Sequence, residues 1–183
     1  MNLTRIARLL AAVALLGAVA VACSDDDDTS ADAPADDAPD TVAVELVDYA
    51  FVGLPASVPA GTKLTVTNSS AAEMHELVAI RIPDTETRTV AELLQLPEEE
   101  ADAIFGDTMP ATVLLAAPGG PQVDAVGDGT IAEPGRYAVV CFIPTGADPD
   151  EFLAAAEGSD GPPEVAGGPP HAMNGMFAEL VVE

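Results

Sequence analysis

The sequence predicts an all-β sandwich with short helical insertions, and three observations support that prediction. Short segments in which apolar and polar residues alternate recur along the chain, as expected of strands with one buried face. Glycine and proline turns separate these segments. Only two stretches carry helix start signals. Short strands, frequent turns and two local helices together are typical of an antiparallel two-sheet sandwich.

The first predicted strand is VAVELVDYAFV (42–52), whose first half alternates from Val42 onwards. A Pro-Ala-Gly-Thr turn then leads to a second strand, in which Leu64 and Val66 alternate with threonines. The remaining strands are predicted at HELVAIRI (75–82), ATVLLAA (111–117), QVDAV (122–126), GRYAVVCFI (135–143) and the terminal MFAELVVE. The segments 111–117 and 122–126 are separated by a Pro-Gly-Gly turn and are predicted to form a hairpin.

Helices are predicted at two places between the strands. A Thr-Val-Ala-Glu capping box at Thr89 leads into LLQL, and Pro97 opens the second short helix, EEEADAIF. In the stretch ADPDEFLAAAEG the N-cap is Asp148 and the helix stops at Gly158. Both stretches are therefore expected to be helical insertions between strands.

The chain divides into a leader, a linker and a domain. Residues 1–22 have two arginines followed by an apolar run too short to span a membrane, which is typical of an export signal. The AVAC tetrapeptide ending at Cys23 resembles the lipobox of bacterial lipoproteins, which implies lipidation of Cys23; cleavage by an ordinary signal peptidase is the alternative. Residues 23–40 lack large apolar side chains and are predicted to be a disordered acidic linker. Residues 41–183 have the length of one domain, which we expect to be extracytoplasmic and anchored to the lipid membrane.

The charge of the chain is strongly negative. With 31 Asp and Glu against 6 Lys and Arg, the formal net charge is −25. This balance excludes nucleic acid as a partner, because phosphate contacts require clustered basic side chains. A redox partner protein is expected to be basic, although an acidic surface that serves only solubility is an equally good interpretation.

The chain has two cysteines. If Cys23 carries lipid, Cys141 is the only thiol of the mature protein and cannot form an internal disulfide. A single thiol outside the cell is buried and inert, paired with another molecule, or bound to a metal.

Residues with metal-binding side chains lie where predicted strands begin or end. His75 opens the third predicted strand, Cys141 lies near the end of the strand 135–143, and His171 and Met176 lead into the last strand. Two imidazoles, a thiolate and a thioether are the ligand set of a type 1 (blue) copper site. Both histidines of the chain belong to this set.

Two segments resemble the cupredoxins, the plastocyanin and azurin type of small copper protein. They are VPAGTKLTVTNSSAAEMHELVAI and EPGRYAVVCFIP together with HAMNGMFAELVV. The resemblance implies a Greek-key sandwich holding one type 1 copper ion, with His75, Cys141 and His171 as strong ligands. In plastocyanins the second histidine and the axial methionine are five residues apart, which assigns Met176 rather than Met173 as the axial ligand. Asn68 is predicted to be a strand-end residue, and the resemblance implies that a residue at this position can contribute local hydrogen bonds.

The chain departs from the family pattern at three places. The loop from the cysteine to the second histidine is usually a few residues long, whereas here it covers residues 142–170. Such an excursion is tolerable if its two ends stay together, because loop closure costs only about 0.6 kcal/mol per doubling of length. Glu76 replaces the usual Asn or Ser and would favour Cu(II) if its carboxylate points inward. The helical stretch 89–105 is also additional to a minimal cupredoxin.

The resemblance implies a one-electron carrier rather than an enzyme. A trinuclear oxidase cluster needs paired His-x-His ligands and a binuclear centre needs two bridging cysteines, which a mature chain with two histidines and one cysteine cannot supply. One alternative is a copper storage or delivery module with the same ligands. Others are a metal-free binding domain and a His₂Cys zinc hydrolase with an open fourth position, for which no general base is placed nearby.

Overall fold

The computed structural model describes residues 40–106, 108–157 and 163–183. The predicted export signal (1–22), Cys23 and all but the last residue of the predicted linker (23–40) lie outside the described residues, as does the predicted helix stop at Gly158.

The strands are β1 (Thr41–Val47), β2 (Ala50–Val52), β3 (Ser57–Val58), β4 (Thr62–Asn68), β5 (His75–Arg81), β6 (Thr112–Ala116), β7 (Gln122–Val126), β8 (Thr130–Ile131), β9 (Gly135–Val140) and β10 (Phe177–Val182). The helices are α1 (Val90–Leu93), α2 (Glu98–Phe105) and α3 (Pro149–Glu157), with a 3₁₀ turn at His171–Asn174.

The strands form two sheets, which confirms the predicted all-β sandwich. The smaller sheet has the order β2-β1-β4-β8 and the larger sheet the order β3-β10-β9-β5-β6-β7. The pairing is mixed, because β1 runs parallel to β4 and β10 runs parallel to β3. The expectation of antiparallel strands throughout is therefore wrong for these two pairs. Alternation indicates which residues face inward, but it carries no information on the direction of the neighbouring strand.

The predicted elements are largely present, with differences at their ends. The segment 42–52 is interrupted by a turn in which Tyr49 has a φ of 65°, so that β2 folds back antiparallel on β1. The hairpin of β6 and β7 is formed as predicted. The capping box at Thr89 is present, and Asp148 accepts hydrogen bonds from the first turn of α3. The strands β3 and β8 were not predicted, because two residues are too few to show alternation.

The inner faces of the two sheets share one apolar core. Fully buried leucines come from the smaller sheet (Leu46 and Leu64) and from the larger sheet (Leu77, Leu114 and Leu180). This is the burial that the alternating segments predict. No helix among the described residues is long and apolar enough to cross a membrane.

The helical stretch 89–105 contributes to a second apolar cluster on the other face of the larger sheet. Val90 and Leu93 of α1 belong to this cluster together with Ala138 and Val140 of β9. Because β9 is covered on both faces, it is a continuous apolar run rather than an alternating one. The insertion therefore accounts for the composition of the strand that leads to Cys141.

Candidate metal centre

His75 is held at the start of β5 by hydrogen bonds to the loop that precedes it. The side-chain amide of Asn68, the last residue of β4, donates to the carbonyls of Glu73 and Ala116 at 2.9 and 2.8 Å. Its oxygen accepts from the backbone amide of Ser70 at 2.8 Å. Asn68 is therefore more than a strand end, since it connects the loop to β6 and determines where His75 begins its strand. The His75 side chain is fully buried.

Cys141 follows the last residue of β9 and is fully buried. Its Sγ accepts a hydrogen bond from the backbone amide of Glu76 at 3.5 Å. Burial first, and the negative charge of Glu76 second, raise the pKa of the Cys141 thiol to about 12. The thiol is therefore protonated at neutral pH unless a cation bound beside it displaces the proton.

His171 opens the 3₁₀ turn and is held against the end of β9 by backbone hydrogen bonds. Its amide donates to the carbonyl of Ile143 at 3.0 Å. The amide of Ala172 donates to the carbonyl of Cys141 at 2.9 Å. The second histidine is thus placed beside the cysteine by the backbone, and its side chain is fully buried.

The two nearby methionines occupy different environments. Gly175 ends the 3₁₀ turn with a φ of 106°, and Met176 follows it with its amide bonded to the carbonyl of His171 at 3.1 Å. The carbonyl of Met176 accepts from the amide of Cys141 at 3.2 Å, and the Met176 side chain is buried in the same apolar cluster as Cys141. Met173 is 61% exposed. The backbone therefore places Met176 beside two of its three predicted co-ligands, Cys141 and His171, and leaves Met173 at the surface.

The side chains of His75, Cys141 and His171 converge at one end of the sandwich. The Nδ1 atoms of His75 and His171 lie 3.1 Å apart, and the Cys141 Sγ lies 3.3 Å from the Nδ1 of His171. One ligand atom from each of the three residues lies within 4.8 Å of the other two, the only such His, Cys, Asp or Glu group in the described part of the chain. Metal bonds of about 2.0 Å to nitrogen and 2.3 Å to sulfur place such donors about 3.3–3.8 Å apart. The two distances to the Nδ1 of His171, 3.1 and 3.3 Å, are close to the lower end of that range, so the three donors are near enough to one another to hold one metal ion.

Burial favours the uncharged form of both imidazoles. Burial is the main cause that lowers the pKa of His75, with the charge of His171 second. Burial also lowers the pKa of His171, against the opposing effect of Glu73. A neutral imidazole has one nitrogen with a free lone pair, which is the form that binds a metal.

Carboxylates lie against the outer nitrogens of both histidines. Glu73 Oε2 is 3.2 Å from the Nε2 of His171, and Asp48 Oδ1 is 3.4 Å from the Nε2 of His75. The ring of Tyr49 packs edge-on against the His171 ring, with centroids 5.3 Å apart. The sequence did not indicate these three contacts, because each joins residues that are brought together only by the folded chain.

Glu76 points inward, the arrangement that the sequence left open. It is 8% exposed, and its Oε1 accepts from the backbone amide of Phe142 at 2.9 Å. Burial raises the pKa of Glu76 to about 7, while the hydrogen bond from Phe142 opposes that shift. Its side chain thus connects β5 with the residue that follows Cys141.

The long loop 142–170 leaves and rejoins the sandwich at the same place. Both the amide and the hydroxyl of Thr145 donate to the carbonyl of Pro169, at 3.1 and 2.8 Å. The amide of Gly168 donates back to the carbonyl of Thr145 at 2.8 Å. Within the loop, Phe152 of α3 is 3% exposed and joins the main core. The closed base explains how Cys141 and His171 can be neighbours despite the long excursion.

We expect Asn68→Ala to destabilise the copper-free protein by about 1–3 kcal/mol. The substitution leaves the amide of Ser70 and two backbone carbonyls without their partner in a buried place. The free energy of unfolding in urea measures the loss. Asn174→Ala is the matched control, because its side chain makes one exposed hydrogen bond, to Thr145. Equal losses for the two variants would contradict the bracing role of Asn68.

The fold and the site together are an all-β, cupredoxin-like sandwich with a His–Cys–His cluster at one end. No protein family model matches the sequence, and no curated protein matches it. One solved structure to which the chain is similar is the dithionite-reduced auracyanin of the photosynthetic bacterium Roseiflexus castenholzii. The two chains are 20% identical, the match covers 80% of this chain and 98% of that chain, and the TM-score is 0.44. Another is auracyanin A, a "blue" copper protein of Chloroflexus aurantiacus, with 19% identity over 80% and 100% of the two chains and a TM-score of 0.42.

Proposed function

We propose that the protein binds one type 1 copper ion and carries single electrons outside the cytoplasmic membrane. The observation that carries the proposal is the convergence of the Cys141 sulfur and the Nδ1 atoms of His75 and His171 in one buried cluster. Two imidazoles and a thiolate, with a weak thioether, are the ligands of type 1 copper, and Met176 would be the thioether. A copper ion held there supplies one-electron redox chemistry between Cu(II) and Cu(I).

The chain's own contribution is a site that is held in place before any metal binds. Each ligand residue lies at the end of a strand or in a turn whose backbone groups are hydrogen-bonded. All three side chains are excluded from solvent. A buried site of fixed geometry needs little rearrangement when its charge changes, which suits electron transfer better than substrate chemistry.

Titration of the purified full chain with Cu(II) tests the proposal. We expect saturation at one equivalent, an intense visible absorption band, and a reversible one-electron wave in voltammetry. Copper binding without a reversible wave would favour storage or delivery instead. Failure to bind copper would leave the metal-free binding domain, and tight binding of zinc with hydrolytic activity would favour the zinc alternative.

We expect Met176→Leu to keep the copper and the colour but to raise the reduction potential. Removing a weak sulfur donor disfavours Cu(II), and a tenfold weakening of Cu(II) relative to Cu(I) corresponds to ~59 mV. We expect a rise of that order by voltammetry of the copper-loaded protein.

Met173→Leu is the matched control for this substitution. Met173 is exposed, so its replacement is expected to change neither the potential nor the spectrum. A potential that moves with Met173→Leu and not with Met176→Leu would show that the axial ligand is wrongly assigned.

We further propose that Cys23 anchors the protein to the membrane and that the redox partner is a basic protein. The AVAC tetrapeptide before an acidic stretch supports the anchor, and the net charge of −25 supports the partner. Cys23→Ala is expected to shift the protein from the membrane fraction to the soluble fraction. An unchanged distribution would overturn the lipoprotein assignment.

A further inference from the structure

One oxygen of Glu73 contacts both a predicted copper ligand and the long loop. Glu73 Oε2 lies 3.2 Å from the Nε2 of His171 and accepts the backbone amide of Gly146 at 2.9 Å. The backbone carbonyl of Glu73 in turn accepts from the side chain of Asn68 at 2.9 Å. Glu73 is therefore held through its carboxylate and through its backbone carbonyl, and it joins the loop before β5 to the start of the loop 142–170 and to the imidazole.

The contact with Glu73 indicates which nitrogen of the His171 ring carries the proton. An Nε2 that lies against a carboxylate is the protonated nitrogen of a neutral imidazole. The Nδ1, which is 3.3 Å from the Cys141 sulfur and 3.1 Å from the Nδ1 of His75, then presents its lone pair to both. This is the nitrogen that a metal in the cluster requires.

We propose that Glu73 is the positioning residue of this site: it holds His171 in the Nδ1-binding tautomer, strengthens that nitrogen as a donor to Cu(II), and ties the loop 142–170 to the imidazole. The effect on copper rests on the proposed function. The effect on the His171 ring and on Gly146 belongs to the copper-free protein and does not rest on it.

Asp48 makes the corresponding contact with His75, but we expect its effect on the imidazole to be weaker than that of Glu73 on His171. Its oxygen is 3.4 Å from the Nε2 of His75, and its side chain is 57% exposed, compared with 19% for Glu73. Solvent screens an exposed charge more strongly than a partly buried one. Asp48→Asn is therefore expected to have a smaller effect than Glu73→Gln on every property of the site.

The copper-bound protein gives the first test. Loss of a carboxylate that orients a ligating histidine typically weakens metal binding 10–100-fold. If only the affinity for Cu(II) falls, the reduction potential rises by ~59 mV for each tenfold loss of that affinity. We expect Glu73→Gln to weaken Cu(II) binding and raise the potential. The matched control is Glu133→Gln, which removes the same charge just before β9, at the end of that strand opposite Cys141. We expect this variant to change neither the Cu(II) affinity nor the potential.

The copper-free protein gives the second test, which uses the full chain with Cys23→Ser to prevent lipidation. Nitrogen chemical shifts of the His171 ring report the tautomer, and exchange of the Gly146 amide reports the loop. A glutamine oxygen can still accept both hydrogen bonds, so Glu73→Gln is expected to keep the tautomer and the slow exchange of the amide. Glu73→Ala is expected to lose both, giving mixed tautomers and faster exchange.

Two results would overturn the inference. One is a Glu73→Ala protein in which the tautomer of the His171 ring and the exchange rate of the Gly146 amide are both unchanged. The other is a copper-loaded Glu73→Gln protein whose potential and Cu(II) affinity equal those of Glu133→Gln. If the unsubstituted protein binds no copper, the proposed function fails, but the copper-free measurement on His171 still tests whether Glu73 orients the ring.

Discussion

Cys141→Ser is expected to abolish the intense visible absorption band of the copper-loaded protein completely. The band arises from donation by the thiolate sulfur into Cu(II), and a serine hydroxyl provides neither the soft donor nor a readily lost proton. Copper affinity is also expected to fall by orders of magnitude, because one of three strong ligands is gone. Absorption spectra and copper titrations of the purified variant measure both effects.

The copper-free variant must remain folded for this result to be informative. Serine is close to cysteine in size, and its oxygen can accept the backbone amide of Glu76 that now donates to the sulfur. We therefore expect a cooperative unfolding transition in urea for Cys141→Ser. A folded Cys141→Ser protein that keeps the blue band would show that the thiolate is not a copper ligand.

Gly129→Ala is expected to destabilise the protein by about 2–5 kcal/mol. Gly129 has a φ of +94°, where an L-residue costs about 1–2 kcal/mol. A Cβ at this position would also clash with the carbonyl oxygen of Leu64, so the turn must move away from β4 at a further cost of about 1–3 kcal/mol. The free energy of unfolding in urea measures the total.

Gly61→Ala separates the two causes. Gly61 has a similar φ of +88°, but nothing lies within 4 Å of where its Cβ would be. We expect this variant to lose only the conformational part, about 1–2 kcal/mol. If both alanines cost the same, the close approach of Gly129 to Leu64 does not contribute to stability.

The amino-acid sequence was sufficient to predict the inward faces of the long strands and to identify three side chains that converge in the fold. Alternation placed Leu64 and Val66 on the buried face of β4, since each successive residue of a strand points to the opposite side. Scarcity and position identified His75, Cys141 and His171, because rare residue types at strand ends are local features that a sequence shows directly.

Strand direction, by contrast, was decided by the tertiary structure. The parallel pairing of β1 with β4 follows from the passage of the chain through β2 and β3, the second of which joins the other sheet before β4 returns. The close approach of Gly129 to Leu64 likewise exists only where one turn packs on a distant strand. Local sequence carries neither fact, because both depend on which segments become neighbours.

The surroundings of the candidate ligands are also a tertiary result. Glu73 and Asp48 have no sequence feature that distinguishes them from the other acidic residues of a chain with 31 Asp and Glu. Their partners lie in other segments, and the contact of Glu73 with His171 joins residues that are 98 positions apart in the chain. The sequence could name the donors because donor chemistry resides in single side chains, whereas their orientation depends on hydrogen bonds between segments that only folding brings together.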